Sequence, residues 1–387
     1  WAGGKGPMVL TANVTVKPGA ALTIEPGCVV QFVQGARLVV EGALIARGTA
    51  DSPIRFTSVL TKDATPFDGE GILFADSSTD ERCALEHCVV EYQRVGVACA
   101  ASSPTLRQCV LARNGNAGLL ATDGAEPRIE DACRIESNDF AGLQAEGAHM
   151  SVRRCLILRN GGEGIRLANK AKGTIEGCRI QGNGRAGIAC DNMASPTIQG
   201  NDVASNQGDG IACNRFSQPV IQGNVLRDNR GTGIRATLDS AATITGNLIE
   251  GNQDHPMILE RSDGVIKGNT LVRNRPYGLN CAKSASPTIE GNWIEGNGGA
   301  GIICGEASAP TITRNAILGQ AKAISNTGTL TVQAKDNYFG DVGAAAMAGL
   351  IFDKHNEPLL GEVIWAPRLT APPPRPPVPT LDLPPLP

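Results

Sequence analysis

Short apolar segments recur along the middle of the chain with a fixed period. When the sequence is written in rows that begin at a Pro-Thr-Ile-like triplet, nine rows from residue 104 to residue 309 come into register. The spacing is 23 residues, with one row of 22. Three apolar columns run down the rows, through Ile198, Val203 and Ile211. Short segments rich in glycine and β-branched residues do not sustain a helical period, so each row predicts three short strands.

This pattern predicts an all-β fold, a right-handed parallel β-helix whose coils of about 23 residues stack three sheets around a thin core. Residues 1–58 are predicted as N-terminal coils, 59–70 as an inserted loop and 71–328 as regular repeats. Residues 329–370 are predicted as a short C-terminal cap and residues 371–387 as a proline-rich extended tail. An alanine-rich stretch at residues 344–352 indicates a short helix within the cap.

Polar residues repeat in the same register, where turns leave backbone groups that need partners. One turn column is asparagine in nine consecutive coils, and a second column changes from cysteine to asparagine along the chain. We expect both columns to be inward ladders that bond to turn backbone and to coils about 4.8 Å away. The first column is Asn114, Asn138, Asn160, Asn183, Asn206, Asn229, Asn252, Asn274 and Asn297; the second is Cys88, Cys109, Cys133, Cys155, Cys178, Asn201, Asn224, Asn247, Asn269, Asn292 and Asn315.

The twelve cysteines also raise the alternatives of disulfide bonds or a metal site. Small, weakly polar thiols suit a buried stack, which is the interpretation we favour. A disulfide between adjacent coils stays open because the coil rise lies within the span of a bridge, although in-register side chains would strain its dihedral angle. No C-x-x-C pair is present, so we expect neither a metal nor a cofactor.

Charge and hydropathy exclude two classes of partner. The formal net charge is −3 with both signs interspersed, and no basic stripe suited to a nucleic-acid backbone occurs. No apolar run approaches the roughly 20 residues that cross a bilayer, so no membrane span is expected in this chain.

Catalytic residues are hard to find in the repeats. A glycine follows the first asparagine column in most coils, and the outward positions after it do not place acidic residues side by side on adjacent coils, as paired-carboxylate chemistry requires. The weak catalytic candidates are Asp209, Asp228, Asp254 and His255, which fall near one turn. Acidic residues in turns are usually only solvated, so the sequence leaves an enzymatic activity uncertain and favours its absence.

The chain ends in the segment APPPRPPVPTLDLPPLP, which cannot join a sheet and predicts an extended polyproline conformation. Such a tail either packs back along the coils or docks on another protein subunit. The candidate partner-binding residues are Pro372, Pro373, Pro374, Arg375, Pro376 and Pro377.

The rows P-T-I-x-G-N-x-I-x-x-N-x-x-x-G-I, which cover residues 83–315, resemble the carbohydrate-binding and sugar-hydrolase-like family of right-handed β-helices. The segments at residues 21–32 and 337–367 look like the start and end of secreted bacterial members. The resemblance implies an extracytoplasmic location, periplasmic or at the cell surface of a bacterium. It says little about activity, because that family spans enzymes, scaffolds and adaptors and the shared residues are turn and core positions.

Two functions follow as hypotheses. The first is a non-enzymatic scaffold or binding subunit of an extracytoplasmic assembly, which would contact another protein through the tail or a face of the coils. The alternative is a polysaccharide-binding or polysaccharide-modifying surface protein of the lyase, hydrolase or epimerase type. Outward aromatic residues that could bind sugar are few in the repeats, with Phe216, Tyr277 and Trp293 among them.

Overall fold

The computed structural model describes residues 1–4, 6–60 and 62–386. Lys5, Thr61 and Pro387, which belong to the predicted first coils, inserted loop and tail, lie outside the described residues. The chain divides into two compact units. The first comprises residues 1–188 together with the chain end from Asp382, and the second comprises residues 189–381.

In the first unit, three strands follow one another in each coil, and every third strand pairs in parallel to build one of three sheets. A 3-10 helix, Asp80–Arg82, precedes β9. In chain order the strands are β1 (Met8–Leu10), β2 (Val14–Val16), β3 (Ala21–Ile24), β4 (Val29–Phe32), β5 (Arg37–Val40), β6 (Ala43–Arg47), β7 (Ile54–Ser58), β8 (Gly71–Phe74), β9 (Ala84–Glu86), β10 (Cys88–Glu91), β11 (Val95–Ala100), β12 (Thr105–Arg107), β13 (Val110–Ala112), β14 (Ala117–Thr122), β15 (Arg128–Glu130), β16 (Arg134–Glu136), β17 (Ala141–Glu146), β18 (His149–Arg153), β19 (Leu156–Leu158), β20 (Ile165–Ala168), β21 (Lys172–Glu176) and β22 (Arg179–Gln181).

The second unit has the same three-sheet construction. Strand β23 (Ile188–Cys190) spans the division between the units. The strands that follow are β24 (Thr197–Gln199), β25 (Asp202–Ala204), β26 (Ile211–Cys213), β27 (Val220–Gln222), β28 (Val225–Arg227), β29 (Ile234–Thr237), β30 (Thr243–Thr245), β31 (Leu248–Glu250), β32 (Met257–Glu260), β33 (Val265–Lys267), β34 (Thr270–Val272), β35 (Leu279–Ala282), β36 (Thr288–Glu290), β37 (Trp293–Glu295), β38 (Ala300–Cys304), β39 (Thr311–Thr313), β40 (Ala316–Leu318), β41 (Lys322–Asn326), β42 (Val332–Gln333), β43 (Ile351–Phe352) and β44 (Val363–Ile364).

The core of each unit is built from inward apolar side chains, at least one from each strand of a coil. In the coil made by β27, β28 and β29, the central residues are Ile221 and Leu226, with Ile234 opening the third strand, and all three are buried. Side chains alternate between the two faces of a strand, so neighbouring residues point outward. The three predicted apolar columns and the all-β fold are therefore confirmed.

One helix, α1 (Ala344–Leu350), lies near the end of the second unit where the alanine-rich stretch predicted it. It contacts β41 and β43, and its Met347 is fully buried. The chain then forms a loop from Asp353 to Gly361 before β44 pairs with β42.

The asparagine ladders form in each unit as the register predicts. In the second unit, the Asn224 backbone N–H and Nδ2 both donate to Oδ1 of Asn247, at 2.9 and 3.0 Å, and Asn224 Nδ2 also donates to the Ile198 carbonyl at 2.9 Å. The same pattern continues to Asn337, one coil beyond the predicted end of the column. In the first unit, Asn114, Asn138, Asn160 and Asn183 bond in the same way.

In the first unit cysteine occupies the second column, and thiols donate as the amides do in the second unit. Cys109 Sγ donates to the Leu85 carbonyl at 3.2 Å, and the Cys109 N–H donates to Cys133 Sγ at 3.4 Å. Cys155 Sγ donates to the Ile129 carbonyl at 3.4 Å. All twelve cysteines are buried, as the structural interpretation of the column predicts.

Two glycine columns have different physical roles. Gly142 follows the first asparagine column, and a Cβ there would lie 2.6 Å from the Gly164 carbonyl oxygen and 2.7 Å from Asn160 Nδ2, so this position needs glycine for close approach. The left-handed conformation occurs instead before the second column, where Gly200 has a φ of 63°.

Candidate functional site

The turn between the first and second sheets presents one row of chemically diverse side chains in the second unit. Each turn follows an inward asparagine of the first ladder, and the residues after it range from the buried Thr232 to the exposed Tyr277. Position by position, successive coils place Asp209, Thr232, His255 and Tyr277 there, at spacings of 23, 23 and 22 residues. Together with neighbouring charged residues they form what we call the Asp–His cluster, which comprises Asp209, Thr232, Arg235, Asp254, His255 and Tyr277.

The centre of the cluster is an aspartate–histidine pair. Asp254 Oδ1 lies 2.5 Å from His255 Nδ1, and the His255 side chain is only 13% exposed. A carboxylate that accepts from Nδ1 fixes the imidazole orientation and leaves Nε2 as the nitrogen able to exchange a proton. The Tyr277 ring lies beside the imidazole, with 5.7 Å between ring centroids, and Tyr277 is 41% exposed.

Arg235 ties the carboxylates of two different coils together. Its Nε donates to Asp209 Oδ2 at 2.9 Å, and one terminal nitrogen reaches Asp254 Oδ2 at 3.2 Å and Thr232 Oγ1 at 2.7 Å. The Thr232 backbone N–H donates to Asp209 Oδ1 at 2.7 Å. The network holds the side chains of consecutive coils in one arrangement.

The electrostatics keep Asp254 ionised. Burial disfavours the charged form, but hydrogen bonds from His255 and Thr232, together with the charge of His255, outweigh it and hold the pKa of Asp254 below its ordinary value. An ionised Asp254 accepts from Nδ1 of His255 and holds the imidazole in one orientation, which a histidine acting as a base requires.

Two exposed arginines flank the cluster. Arg230 and Arg275 occupy the turn position directly after the ladder asparagine, one coil on either side of the coil that carries His255. Within residues 189–381 as described, neither makes an ion pair with a carboxylate. Both guanidinium charges are therefore unpaired within this described part of the unit.

The sequence candidates are thus only partly brought together. Asp209, Asp254 and His255 join one network, but Asp228 lies apart on an exposed turn, 3.6 Å from an Arg227 nitrogen. Sequence reasoning missed Thr232 and Arg235 as members and treated Tyr277 only as an outward aromatic. The 23-residue register around His255 would have found Thr232 and Tyr277, whereas the Asp209–Arg235 contact spans 26 residues and follows no column.

The proline-rich tail lies on the chain itself. Within the second unit, the Arg375 guanidinium sits 5.1 Å from the Trp293 ring centroid and 3.6 Å from a Glu295 carboxylate oxygen. Pro373, Pro376 and Pro379 are half-buried between exposed residues, the three-residue period of a polyproline helix with one face covered. The packing alternative is therefore what the structure has, and docking of Pro372, Pro374 or Pro377 on another subunit stays a prediction.

The last residues of the tail make their contacts within the first unit. The Arg179 Nε donates to the Pro384 carbonyl at 2.8 Å, and Asp382 lies 3.8 Å from an Arg154 nitrogen. Pro384 is buried. Side chains alternate along β19, so Leu156 and Leu158 lie on the face opposite to the inward Ile157. Both are nevertheless buried.

A family model described as the right handed beta helix region matches residues 46–203 and 167–317. The chain belongs to this β-helix family. Membership confirms the β-helix resemblance and the predicted right-handed coil. No curated protein matches the chain in sequence.

Solved structures resemble this β-helix in fold. The periplasmic alginate epimerase AlgG is 15% identical, with 72% of this chain and 77% of AlgG covered at a TM-score of 0.60. A mutant of the PL6 family alginate lyase AlyGC is 16% identical, with 92% of this chain and 59% of AlyGC covered at a TM-score of 0.50. At these identities the similarity shows the fold alone.

The described residues show neither a cluster of metal ligands nor a membrane-spanning helix. They contain no group of three or more histidine, cysteine, aspartate or glutamate side chains placed to hold a metal ion. None of the helices in residues 1–4, 6–60 and 62–386 is long and apolar enough to cross a membrane.

Proposed function

We propose that this chain is an extracytoplasmic β-helix protein that binds an acidic polysaccharide and transfers a proton on its uronate units at the Asp–His cluster. The observation that carries the proposal is the Asp254–His255 pair, 2.5 Å apart, beside the exposed Tyr277 ring. Similarity to a periplasmic alginate epimerase and to an alginate lyase supports both the substrate class and the location. The alternative from the sequence is therefore better supported than the scaffold hypothesis.

The chemistry follows from the positions of the groups. Arg230 and Arg275 pair with substrate carboxylates, which lowers the charge that opposes removal of the proton on the adjacent carbon. His255 Nε2 takes that proton, so the C–H bond breaks and its electron pair is delocalised into the carboxylate. The Tyr277 hydroxyl then gives a proton either to the same carbon from the other side, which inverts it, or to the departing glycosidic oxygen, which cleaves the chain.

The experiment incubates the full chain with polymannuronate, polygalacturonate and a neutral glucan. Cleavage is followed by the ultraviolet absorbance of the unsaturated product, and inversion is followed by proton NMR. We expect turnover of a polyuronate and none of the glucan. His255→Gln should lower kcat by about 10²–10⁴-fold, and Tyr277→Phe should lower kcat while leaving KM nearly unchanged.

Asp228→Asn is the matched control, because Asp228 is an exposed turn acid of the same unit that lies outside the cluster. It should leave turnover unchanged. The proposal fails if no polyuronate is altered while the protein is folded, or if His255→Gln is as active as Asp228→Asn. Polyuronate binding without turnover would refute the proton transfer and leave a binding protein.

A further inference from the structure

A cleft of about 380 Å³ opens near the end of the second unit, outside the Asp–His cluster. We call it the cap cleft and define it by its lining residues, Ala348, Ile351, Asp353, His355, Asn356 and Trp365. One wall is apolar, from Ala348, Ile351 and the half-buried Trp365, and the other wall is polar. A concave surface that combines an indole with a few fixed polar groups is the usual form of a site for a small organic ligand.

A buried carboxylate fixes the polar wall. Asp353 accepts hydrogen bonds from the backbone N–H groups of His355 and Val363, each at 2.9 Å, and its Oδ1 lies 2.9 Å from His355 Nδ1. Asn356 Oδ1 accepts from the Asp353 N–H at 3.1 Å. The loop is thereby pinned across its width and the polar groups are held in place before any ligand arrives.

The same bonds leave two polar groups facing outward. Nδ1 of His355 is taken by Asp353, so Nε2 is available, and the His355 side chain is 70% exposed. Oδ1 of Asn356 is taken by the backbone, so its NH₂ group is available. Within the described residues neither group has a protein partner, and together they offer donors and an acceptor at the edge of the Trp365 wall.

Charge decides which ligand the cleft suits. The only carboxylate among its lining residues is the buried Asp353, and no lysine or arginine lines it. A lining without such a cation gives a polyuronate no charge partner. A neutral sugar ring has apolar C–H faces that pack on an indole and hydroxyl groups that bond at the rim.

From the cleft, its fixed polar wall and its charge, we infer that the cap cleft is a binding site for one or two neutral pyranose units. The site is separate from the Asp–His cluster and does not depend on proton transfer there. It assigns Trp365 as the stacking surface, with His355 and Asn356 as the hydrogen-bonding residues.

The test uses titration calorimetry on the full chain with three probes, a gluco-oligosaccharide, a manno-oligosaccharide and a mannuronate oligosaccharide. We expect at least one neutral probe to bind with a Kd on the order of 0.1–1 mM, and binding to weaken at least tenfold in Trp365→Ala. Trp293→Phe is the control, because Trp293 is a half-exposed indole that contacts the tail rather than the cleft. This control should bind as the native chain does.

Asn356→Ala provides a second variant, which removes the NH₂ donor of the cleft and also the acceptor of the Asp353 N–H. Thermal melts check that each variant folds. His255→Gln should bind the neutral probe normally, which separates this site from the proposed catalytic one. The inference is overturned if no neutral probe binds, or if binding survives both Trp365→Ala and Asn356→Ala.

Discussion

Replacement of Asn247 tests whether the inward ladder holds the coils together. Asn247 Oδ1 accepts from the Asn224 N–H at 2.9 Å and from Asn224 Nδ2 at 3.0 Å, and its Nδ2 donates to the Ile221 carbonyl at 3.0 Å and to Asn269 Oδ1 at 2.9 Å. Asn247→Ala removes all four bonds within a region that water does not reach. The Asn224 N–H is then left without its acceptor.

The size of the effect follows from the kind of group that loses its partner. A buried donor without a partner costs about 1–3 kcal/mol, and each of the other three lost bonds costs about 0.5–1.5 kcal/mol. We therefore expect Asn247→Ala to lower the free energy of unfolding by roughly 2.5–7.5 kcal/mol. Asn247→Cys should cost less, because a thiol at the same coil position donates to a carbonyl and accepts a backbone N–H, as Cys109 and Cys133 do.

Urea denaturation monitored by circular dichroism measures the effect. The exposed Gln222, on the strand just before the ladder residue Asn224, provides the control, and Gln222→Ala should lie within about 0.5 kcal/mol of the native chain. The reasoning is refuted if Asn247→Ala costs no more than Gln222→Ala, or if the cysteine and alanine variants are equally unstable.

Three further outcomes are expected. Arg375→Ala removes the cation–π contact with Trp293, which stabilises the packed tail by about 0.5–2 kcal/mol. A protease should therefore cleave the tail of this variant faster than that of the native chain. An unchanged cleavage rate would contradict the packing. Burial raises the pKa of Cys304 to about 12 and that of Cys281 well above its ordinary value. A thiol reagent at pH 8 should therefore label neither cysteine until the chain unfolds. Rapid labelling of the folded chain would contradict this burial. The pKa of Asp353 is lowered because hydrogen bonds from Val363 and His355 outweigh burial. The loop should therefore be fully stabilised at neutral pH and should lose that stabilisation as the pH falls through the pKa of Asp353 in the folded chain. Trp365 fluorescence should follow this transition, and Asp353→Asn should abolish it.

Much of the fold can be predicted from the sequence because parallel coils in register repeat the same environment every 22 or 23 residues. A residue type that recurs at that spacing has to serve the same neighbours above and below. The apolar columns, both asparagine ladders and the buried cysteines all follow from this rule. Asn337 extended the second ladder by one coil, at the regular spacing of 22 residues from Asn315.

The candidate site obeys the register only in part. Thr232, His255 and Tyr277 share one turn position, but Arg235 reaches Asp209 and Asp254 from a neighbouring strand because its long side chain crosses between coils. Spacing places Cα atoms; it does not determine how far a flexible side chain extends or which of several carboxylates it meets. Asp228 belongs to the same turn region and still lies apart.

The sequence by itself therefore determined the period, the inward residues and the solenoid architecture, since these depend on short-range repetition. Only the tertiary structure decided which turn residues meet, that the proline tail lies on Trp293, and that a loop fixed by Asp353 faces Trp365 across a cleft. These features join residues that share no period, so no pattern along the chain encodes them. They arise from packing of non-repeating segments against the regular coils, which also makes them the places where this β-helix can carry a function of its own.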